Sequence, residues 1–265
     1  MFIDDPADVS RAAAALASGA VAGTAFGNFY VIVSCPDAAT VRRVNLAKGR
    51  PADQVGSITT AFGRIPGCYD WAALDPRLDQ RRLRALMGHL HGLGPFGFRG
   101  PAAAHVPAHL TQVDQGVRTT QVIAPGRACP SNALFEAVVS QYGLGLLYIT
   151  SANRSRHLTG AEEEPAHWAG AALAADFPDL LLVSHRDEVR ARAAYPRFTT
   201  TSVTLLSFHA PGGTAARPVL TVDRHGSLPM EDVRDVAAEY GFDVVLGPTA
   251  RRRLRVREYA EAVAS

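Results

Sequence analysis

Two apolar runs, "FYVIVS" at 29–34 and "LLYITS" at 146–151, constrain this chain most, because runs rich in β-branched and aromatic residues and bounded by turn residues read as buried strands. The second runs straight into a polar turn, "SAN" at 151–153. Between and beyond them lie segments of helical period. "DDPADVSRAAAALASGA" predicts a first helix, capped by Asp5, with Pro6 in its first turn and Gly19 at its end. "DAATVRRVNLAKG" predicts a second, capped by Asp37, with Val41, Val44 and Leu46 or Ala47 on its inner face. Further helices are expected over "DQRRLRALMGHLHG", "PSNALFEAVVSQYG" (capped by Ser131, stopped by Gly143), "EEEPAHWAGAALAAD", "SLPMEDVRDVAAEYG" (capped by Ser227) and "TARRRLRVREYAEAVA". Strands are expected over "AVAGTAF", "QVGSITTAF", "TTQVIA", "DLLLVS", "TTTSVTLLSF", "RPVLTVD" and "FDVVLG", with "GLGPFGFRGP" as a loop. Strands and helices intermix throughout, so the fold class is α/β or mixed α+β.

Composition narrows the function. Charged residues are 20% of the chain, the net charge is +2 and the pI is about 8.5, too mild to argue for nucleic acid or a membrane surface. Cys35, Cys68 and Cys129 are widely spaced and form no C-x-x-C, which fits three buried thiols in a reducing compartment. The N-terminus opens with acids rather than a basic segment and an apolar run, and no apolar stretch reaches the ~18 residues of a membrane span. The expectation is a cytoplasmic protein.

Lys48 is the only lysine; every other Lys-or-Arg position is arginine. A slim, rotatable ammonium is not interchangeable with a planar guanidinium fork, so a site that needs the slim cation would keep it. Lys48 falls at the predicted end of the second helix and Arg50 just beyond. Thr150, Ser151 and Asn153 fall at the end of a buried strand, and Arg224 and Gly226 follow another. Strand ends in open α/β sheets are where ligands commonly bind. Two cations with hydroxyl and amide donors suit a phosphate chain carrying a nucleoside.

These segments together resemble the YrdC/Sua5/TsaC family over roughly residues 8 to 235. "KGRP" at 48–51 is similar to its K-x-R-P motif and "TSAN" at 150–153 to its S-x-N motif, about 100 residues apart. "GPFG" at 94–97 resembles its P-G-P-x-T loop, "GRACP" its R-x-P segment, "TTSVTLL" its S-T-V-V strand and "DRHG" its R-x-G turn. The resemblance implies a twisted, mixed open sheet flanked by helices around a large basic cavity. It implies one domain over 1–240, with 241–265 as a C-terminal extension of the same globule. Typical members join threonine, bicarbonate and ATP into threonylcarbamoyl-AMP, for the modification of tRNA adenosine. Lys48 and Arg50 would then be catalytic and bind phosphate, with Arg127, Thr150, Ser151, Asn153, Thr201, Ser202 and Arg224 completing the nucleotide site. Mg²⁺ would arrive with ATP, and the protein itself would hold no metal.

The sequence departs from the family on the amino-acid side. The usual P-T-D/E-T-x-Y-G-L segment is replaced by "GTAFGNFYVIVSC". The pocket for the amine would instead draw on Phe26, Asn28, Tyr30, Thr59 and Ile149. Thr59 stands where some members have histidine, Gly97 where the loop has threonine, and Arg154 and Arg156 where N-x-S-G is usual. A synthase with an altered amine pocket, in specialised metabolism, is the leading expectation. Ordinary threonylcarbamoyl-AMP synthesis and a non-catalytic nucleotide- or RNA-binding relative are the alternatives. A separate transferase partner is a further expectation, since some relatives are fused to one.

Other polar groups read more plainly. His89/His91 and His105/His109 lack Cys, His or acid partners at ligand spacing and are expected to be structural. Ser151 has no G-x-S-x-G elbow around it. Glu162, Glu163 and Glu164 read as a solvated helix start. "PFGFRG" lacks P-loop spacing. "RRRLRVRE" is the strongest basic run, read first as a solvated helix face and second as a nucleic-acid contact.

Overall fold

The computed structural model describes residues 1–155, 166–198 and 202–250. The first helix, α1 (Pro6–Ala17), begins where Asp5 accepts from the amides of Ala7 and Asp8, and the chain turns at Gly19 with φ +93°. A tight hairpin follows, β1 (Ala22–Phe26) and β2 (Phe29–Ser34), buried along its whole length. Helix α2 (Ala38–Ala47) starts on Asp37, whose side chain accepts from Thr40 N. Its buried stripe is Val41, Val44, Asn45 and Lys48, the i, i+3, i+4, i+7 set of an amphipathic helix. Leu46 is exposed, so the inner face turns one residue away from the expected one and buries two polar residues.

Strand β3 (Ser57–Thr59) and helix α3 (Gln80–Leu93) come next. The Gly/Pro-rich stretch expected as a loop is strand β4 (Phe96–Pro101), paired antiparallel with β6 (Val117–Ala124) and parallel with β9 (Leu205–Gly213). Its glycines are packing sites. A Cβ on Gly97 would stand 2.5 Å from Ile123 Cδ1, and one on Gly100 2.0 Å from Phe208 Cζ. Phe208 is wedged between Tyr69 and Trp71, with ring centroids 5.1 and 6.0 Å away. The glycines let bulky neighbours close over the strand, which explains why composition pointed to a loop.

A short β5 (Gln112–Asp114) pairs with β6. Then come α4 (Asn132–Tyr142), β7 (Leu147–Ser151), α5 (Gly170–Asp176), β8 (Leu181–Val183), α6 (Glu188–Ala193), β10 (Pro218–Arg224), α7 (Met230–Glu239) and β11 (Asp243–Leu246). Sequence reading gave no element at α6. Gly143 closes α4 at φ +70°, but Ser131 is not a capping donor or acceptor there; its hydroxyl lies 2.8 Å from Cys129 Sγ. Ser227 does not cap α7 either, because Pro229 precedes that helix, and the Ser227 hydroxyl has no partner among the described residues. The basic run from Arg251 and the acidic run at 162–164 lie outside the described residues.

Among the described residues the strands form one mixed eleven-stranded sheet, ordered β11-β10-β9-β4-β6-β3-β7-β2-β1-β8, with β5 beside β6. The expected mixed open sheet flanked by helices is the observed architecture. β11 pairs parallel with β10, so residues 243–246 continue the sheet. No helix of the described residues is long and apolar enough to cross a membrane. Strand alternation gives the sheet two unlike faces. On β4, Phe96 and Phe98 point one way; Phe98 packs edge-on against His91 of α3 at 5.3 Å. Gly97 and Arg99 point the other way, as do their cross-strand partners Ile123 and Gln121. That second face carries the two cavities described with the candidate site below.

Gly100→Ala is expected to cost about 2 kcal/mol by overpacking against a ring that has no room to turn. Thermal melting checks it, with a fall in Tm of several degrees and an unchanged circular-dichroism spectrum expected.

Candidate functional site

The site is organised where α2 ends. Lys48 caps the helix, and Gly49 at φ +71° reverses the chain, so Lys48 and Arg50 leave in different directions. A Cβ on Gly49 would lie 2.8 Å from Ser155 O, so the reversal and the close approach of 155 both require glycine. Arg50 N returns to Asn45 O at 2.9 Å, and Ser155 N donates to Lys48 O at 2.7 Å.

Lys48 is 1% exposed. Its ammonium donates to the carbonyl of Ser151, to Asn153 O at 2.7 Å and to Asn153 Oδ1 at 3.1 Å. The Ser151 hydroxyl donates to the same Asn153 Oδ1 at 2.5 Å. The lone lysine thus clasps the 151–153 turn from behind. The narrow-cation argument for position 48 is met by protein oxygens in this structure: three donors on a rotatable ammonium face three acceptors.

Arg50 faces the other way. Its Nη1 donates to Thr150 Oγ1 at 2.6 Å. The loop after it is held by Asn45, whose amide donates to Gln54 O at 2.9 Å and to Ala52 O at 3.3 Å, while Tyr148 donates its hydroxyl to Asn45 Oδ1 at 2.9 Å. Arg50, Gln54 and Ser57 then line a cavity of about 230 Å³ together with Gln121, Thr150, Ser151, Ser202 and Arg224. Its apolar wall is Phe29, Val31, Val55, Ile123, Ile149 and Val203. Two guanidiniums and no carboxylate side chain are among these lining residues. Arg224 is fixed by a bond from Nε to Val203 O at 2.9 Å.

Of the residues singled out from sequence, Arg50, Thr150, Ser151, Ser202, Arg224 and Ile149 converge on this cavity. Lys48 and Asn153 sit behind it. Thr201 lies outside the described residues. Arg127 is elsewhere, stacked 4.9 Å over Phe62 beside His91. Four of the five residues expected to line an amine pocket are buried in other contacts. Phe26 packs on Phe29 and Phe135. The Asn28 amide donates to Phe198 O at 2.7 Å and Tyr195 O at 3.2 Å. Tyr30 donates its hydroxyl to the Glu188 carboxylate, and burial followed by that carboxylate pushes the phenol well above its usual range. Thr59 is fully buried.

Asn45, Gln54, Ser57 and Gln121 were missed. Asn45 was detectable as the fourth member of the 41, 44, 45, 48 stripe. Gln121 was detectable from the period-2 alternation of β6, which places it on the face of Ile123. A second, larger cavity of about 680 Å³ shares Gln121 and Arg224 with the first. Arg99 there pairs with Asp223 at 2.6 Å and Asp114 at 3.4 Å, and His209 Nε2 lies 3.2 Å from Asp114. Burial lowers the His209 pKa against the pull of the two carboxylates. Among the described residues no group of three or more His, Cys, Asp or Glu side chains is placed to hold a metal.

No family model matches the sequence, and no curated protein does. Solved structures match the fold. A doubly substituted Sua5 of P. abyssi superposes with a TM-score of 0.64 at 19% identity, over 92% of this chain and 63% of that one. Sua5 of P. abyssi complexed with L-threonine gives 0.62 at 20% identity, over 94% and 66%. E. coli YciO gives 0.55 at 16% identity, over 78% and 86%. Full-length HypF in its phosphate- and nucleotide-bound form gives 0.52 at 14% identity, over 82% and 28%. The chain spans less than two thirds of the P. abyssi Sua5 chain in each comparison, and its fold is YrdC/Sua5-like.

Two measurements check the buried groups. Lys48→Met removes the ammonium that three oxygens of the 151–153 turn share and is expected to lower unfolding free energy by about 3 kcal/mol, read by chemical denaturation. His91 is neutral when folded, its pKa lowered by burial from 6.5 to about 4. The unfolded chain therefore takes up this proton first as pH falls, and the stability present above 6.5 drains away towards about 4. Down to about pH 5 the loss from this residue is about 2 kcal/mol, and His91→Phe is expected to flatten the curve by that amount.

Proposed function

We propose that this protein is an ATP-dependent carbamoyl-adenylate synthase, a nucleotidyltransferase that joins an amine or amino acid, bicarbonate and ATP. The observation that carries the reading is the convergence of Arg50, Thr150, Ser151, Ser202 and Arg224 on one concave, cationic cavity without a carboxylate in its lining. The fold shared with Sua5, and with HypF in a phosphate- and nucleotide-bound form, supports it.

In this reading the amine captures bicarbonate-derived CO₂ as a carbamate, with loss of water. A carbamate oxygen attacks the α-phosphorus of ATP, the bond to the β-phosphate oxygen breaks, and pyrophosphate leaves. Charge grows on the leaving pyrophosphate and on the five-coordinate phosphorus. Arg50 and Arg224 are fixed beforehand by Thr150 and Val203, so they stabilise that charge without reorganising. Ser151 and Ser202 add hydroxyl donors, and Mg²⁺ enters with ATP as part of the substrate. No covalent nucleophile on the protein takes part. Lys48 and Asn153 act as positioning residues that hold the 150–153 turn against the phosphates.

The amine's substituent meets the apolar wall of Phe29, Val31, Ile123, Ile149 and Val203. The hydroxyls of Tyr30 and Thr59 do not line the cavity, which favours an amino acid with an apolar side chain over threonine. A pyrophosphate-release assay with ATP, bicarbonate and a panel of amino acids tests both parts. Release is expected to need an amino acid and bicarbonate, to be faster with an apolar side chain than with threonine, and to fall about a hundredfold in Arg50→Ala or Arg224→Ala. Faster release with threonine than with any other amine assigns ordinary threonylcarbamoyl-AMP synthesis. No release with any amine, while ATP still binds, leaves a nucleotide-binding protein and ends the enzymatic reading.

A further inference from the structure

On the opposite face of the sheet from the proposed catalytic cavity, α3 and the 3-10 turn at Phe62–Cys68 enclose a separate space of about 220 Å³. This is smaller than the ~300–1,000 Å³ typical of sites for drug-sized ligands. His91 lines it and is 2% exposed, yet its Nε2 has no hydrogen-bond partner among the described residues. Phe62 and Phe98 hold the imidazole edge-on, with ring centroids at 5.5 and 5.3 Å, so the orphaned nitrogen cannot swing out to water without breaking both contacts. Burying a polar atom with no partner is unfavourable, and an occupant with a donor at Nε2 would remove that penalty.

Two guanidiniums stand at the same space. Arg127 lies 4.9 Å over Phe62, and Arg84 lies 4.4 Å over Trp71. Arg84 is also within 2.7 Å of the Gln80 amide oxygen in the orientation that satisfies both groups. The Arg127 guanidinium makes no hydrogen bond among the described residues, its backbone alone being bonded to His91 O and Asn132, and it is therefore the main anion contact. No carboxylate lines the space, and Ile65 and Met87 supply an apolar wall. The conjunction is one cation held by an aromatic ring, one buried imidazole nitrogen lacking a partner, and aliphatic surface between them.

We propose that this space binds a small organic acid whose hydroxyl or amino group reaches His91 Nε2 while its carboxylate pairs with Arg127. The neutral imidazole can accept that donor's proton-bearing bond, the guanidinium takes the carboxylate in a charge-assisted pair, and the carbon chain lies on Ile65 and Met87. The site lies across the sheet from the cationic cavity, so its ligand is a second ligand of the protein rather than the reacting amine. Inorganic phosphate satisfies only the cation, and an amine without a carboxylate is repelled by it.

The experiment follows the His91 ring resonances of the full chain by NMR during titration with 4-hydroxybutyrate, butyrate, butylamine and inorganic phosphate. A saturable shift with 4-hydroxybutyrate, weaker with butyrate and absent with butylamine, is expected. Arg127→Ala is expected to weaken 4-hydroxybutyrate binding about tenfold or more. In calorimetry His91→Phe is expected to abolish the preference for the hydroxy acid over butyrate. Absence of any shift, equal shifts with butylamine or phosphate, or undiminished affinity in Arg127→Ala overturns the proposal. The Arg127→Ala arm reads native His91, so the outcome stands even if His91→Phe fails to fold. ATP and pyrophosphate play no part in these readouts, so the result is independent of the proposed catalytic function.

Discussion

The buried ammonium of Lys48 is the interaction on which the cationic cavity depends. It gathers two carbonyls and an amide oxygen of the 151–153 turn, and it does so 1% exposed to solvent. Removing it would strip the charge-assisted donor from all three oxygens, leaving Ser151 O with the Asn153 amide and Asn153 Oδ1 with the Ser151 hydroxyl, in a low-dielectric setting where such bonds count most. A guanidinium in its place would bring a bulkier planar fork with its donors spread in one plane. The turn would move, and with it Thr150, to which Arg50 is bonded. One helix end thereby fixes both halves of a site separated by about 100 residues in sequence.

Gly49 turns this anchoring into a division of labour. Its left-handed backbone sends Lys48 inward and Arg50 towards the cavity, and Asn45 pins the following loop so that Gln54 and Ser57 reach the same space. The second chain segment arrives through β7: Tyr148 bonds Asn45, Thr150 bonds Arg50, and Ile149, Thr150 and Ser151 line the cavity. Preorganisation of this kind leaves little reorganisation to be done when charge develops, which is the main way a protein lowers the barrier to phosphoryl transfer.

Much of this was legible in the sequence because strong local signals agreed with the tertiary result. Asp5 and Asp37 cap helices where expected, and the runs at 29–34 and 146–151 form β2 and β7, paired neighbours inside the sheet. The pairing of 48–50 with 150–153 followed from motif resemblance; nothing local in either segment requires the other. β4 was illegible because Gly97 and Gly100 carry no strand signal of their own; the reason for them is Ile123 and Phe208, far away in sequence. Arg127 stands away from the cationic cavity for a similar cause. Its neighbours resemble a nucleotide-binding segment, but Arg127 N binds His91 O at 2.7 Å, which directs that segment towards α3. The direction of a side chain across a sheet is set by register, and register is not written in any single motif.

The positions that depart from the family pattern are also where side chains have taken on structural work. Asn28 holds the carbonyls of Tyr195 and Phe198, and Tyr30 holds Glu188, which in turn accepts from Gly170 N at 2.6 Å. These bonds tie the β1–β2 hairpin to α5, α6 and the segment after it. Gly97 admits Ile123 and Leu205 over β4 in place of a polar side chain. Under the proposed function, what would discriminate between amines is the wall of Phe29, Val31, Ile123, Ile149 and Val203 with Gln54, Ser57 and Gln121 beside it, while Arg50 and Arg224 stay fixed. A methylene more or less on such a wall is worth only about 1–3 kcal/mol, whereas a buried polar partner left unpaired discriminates far more sharply. Under the proposed function, such a cavity would be strict about the phosphate end of its ligands and lenient about the amine end.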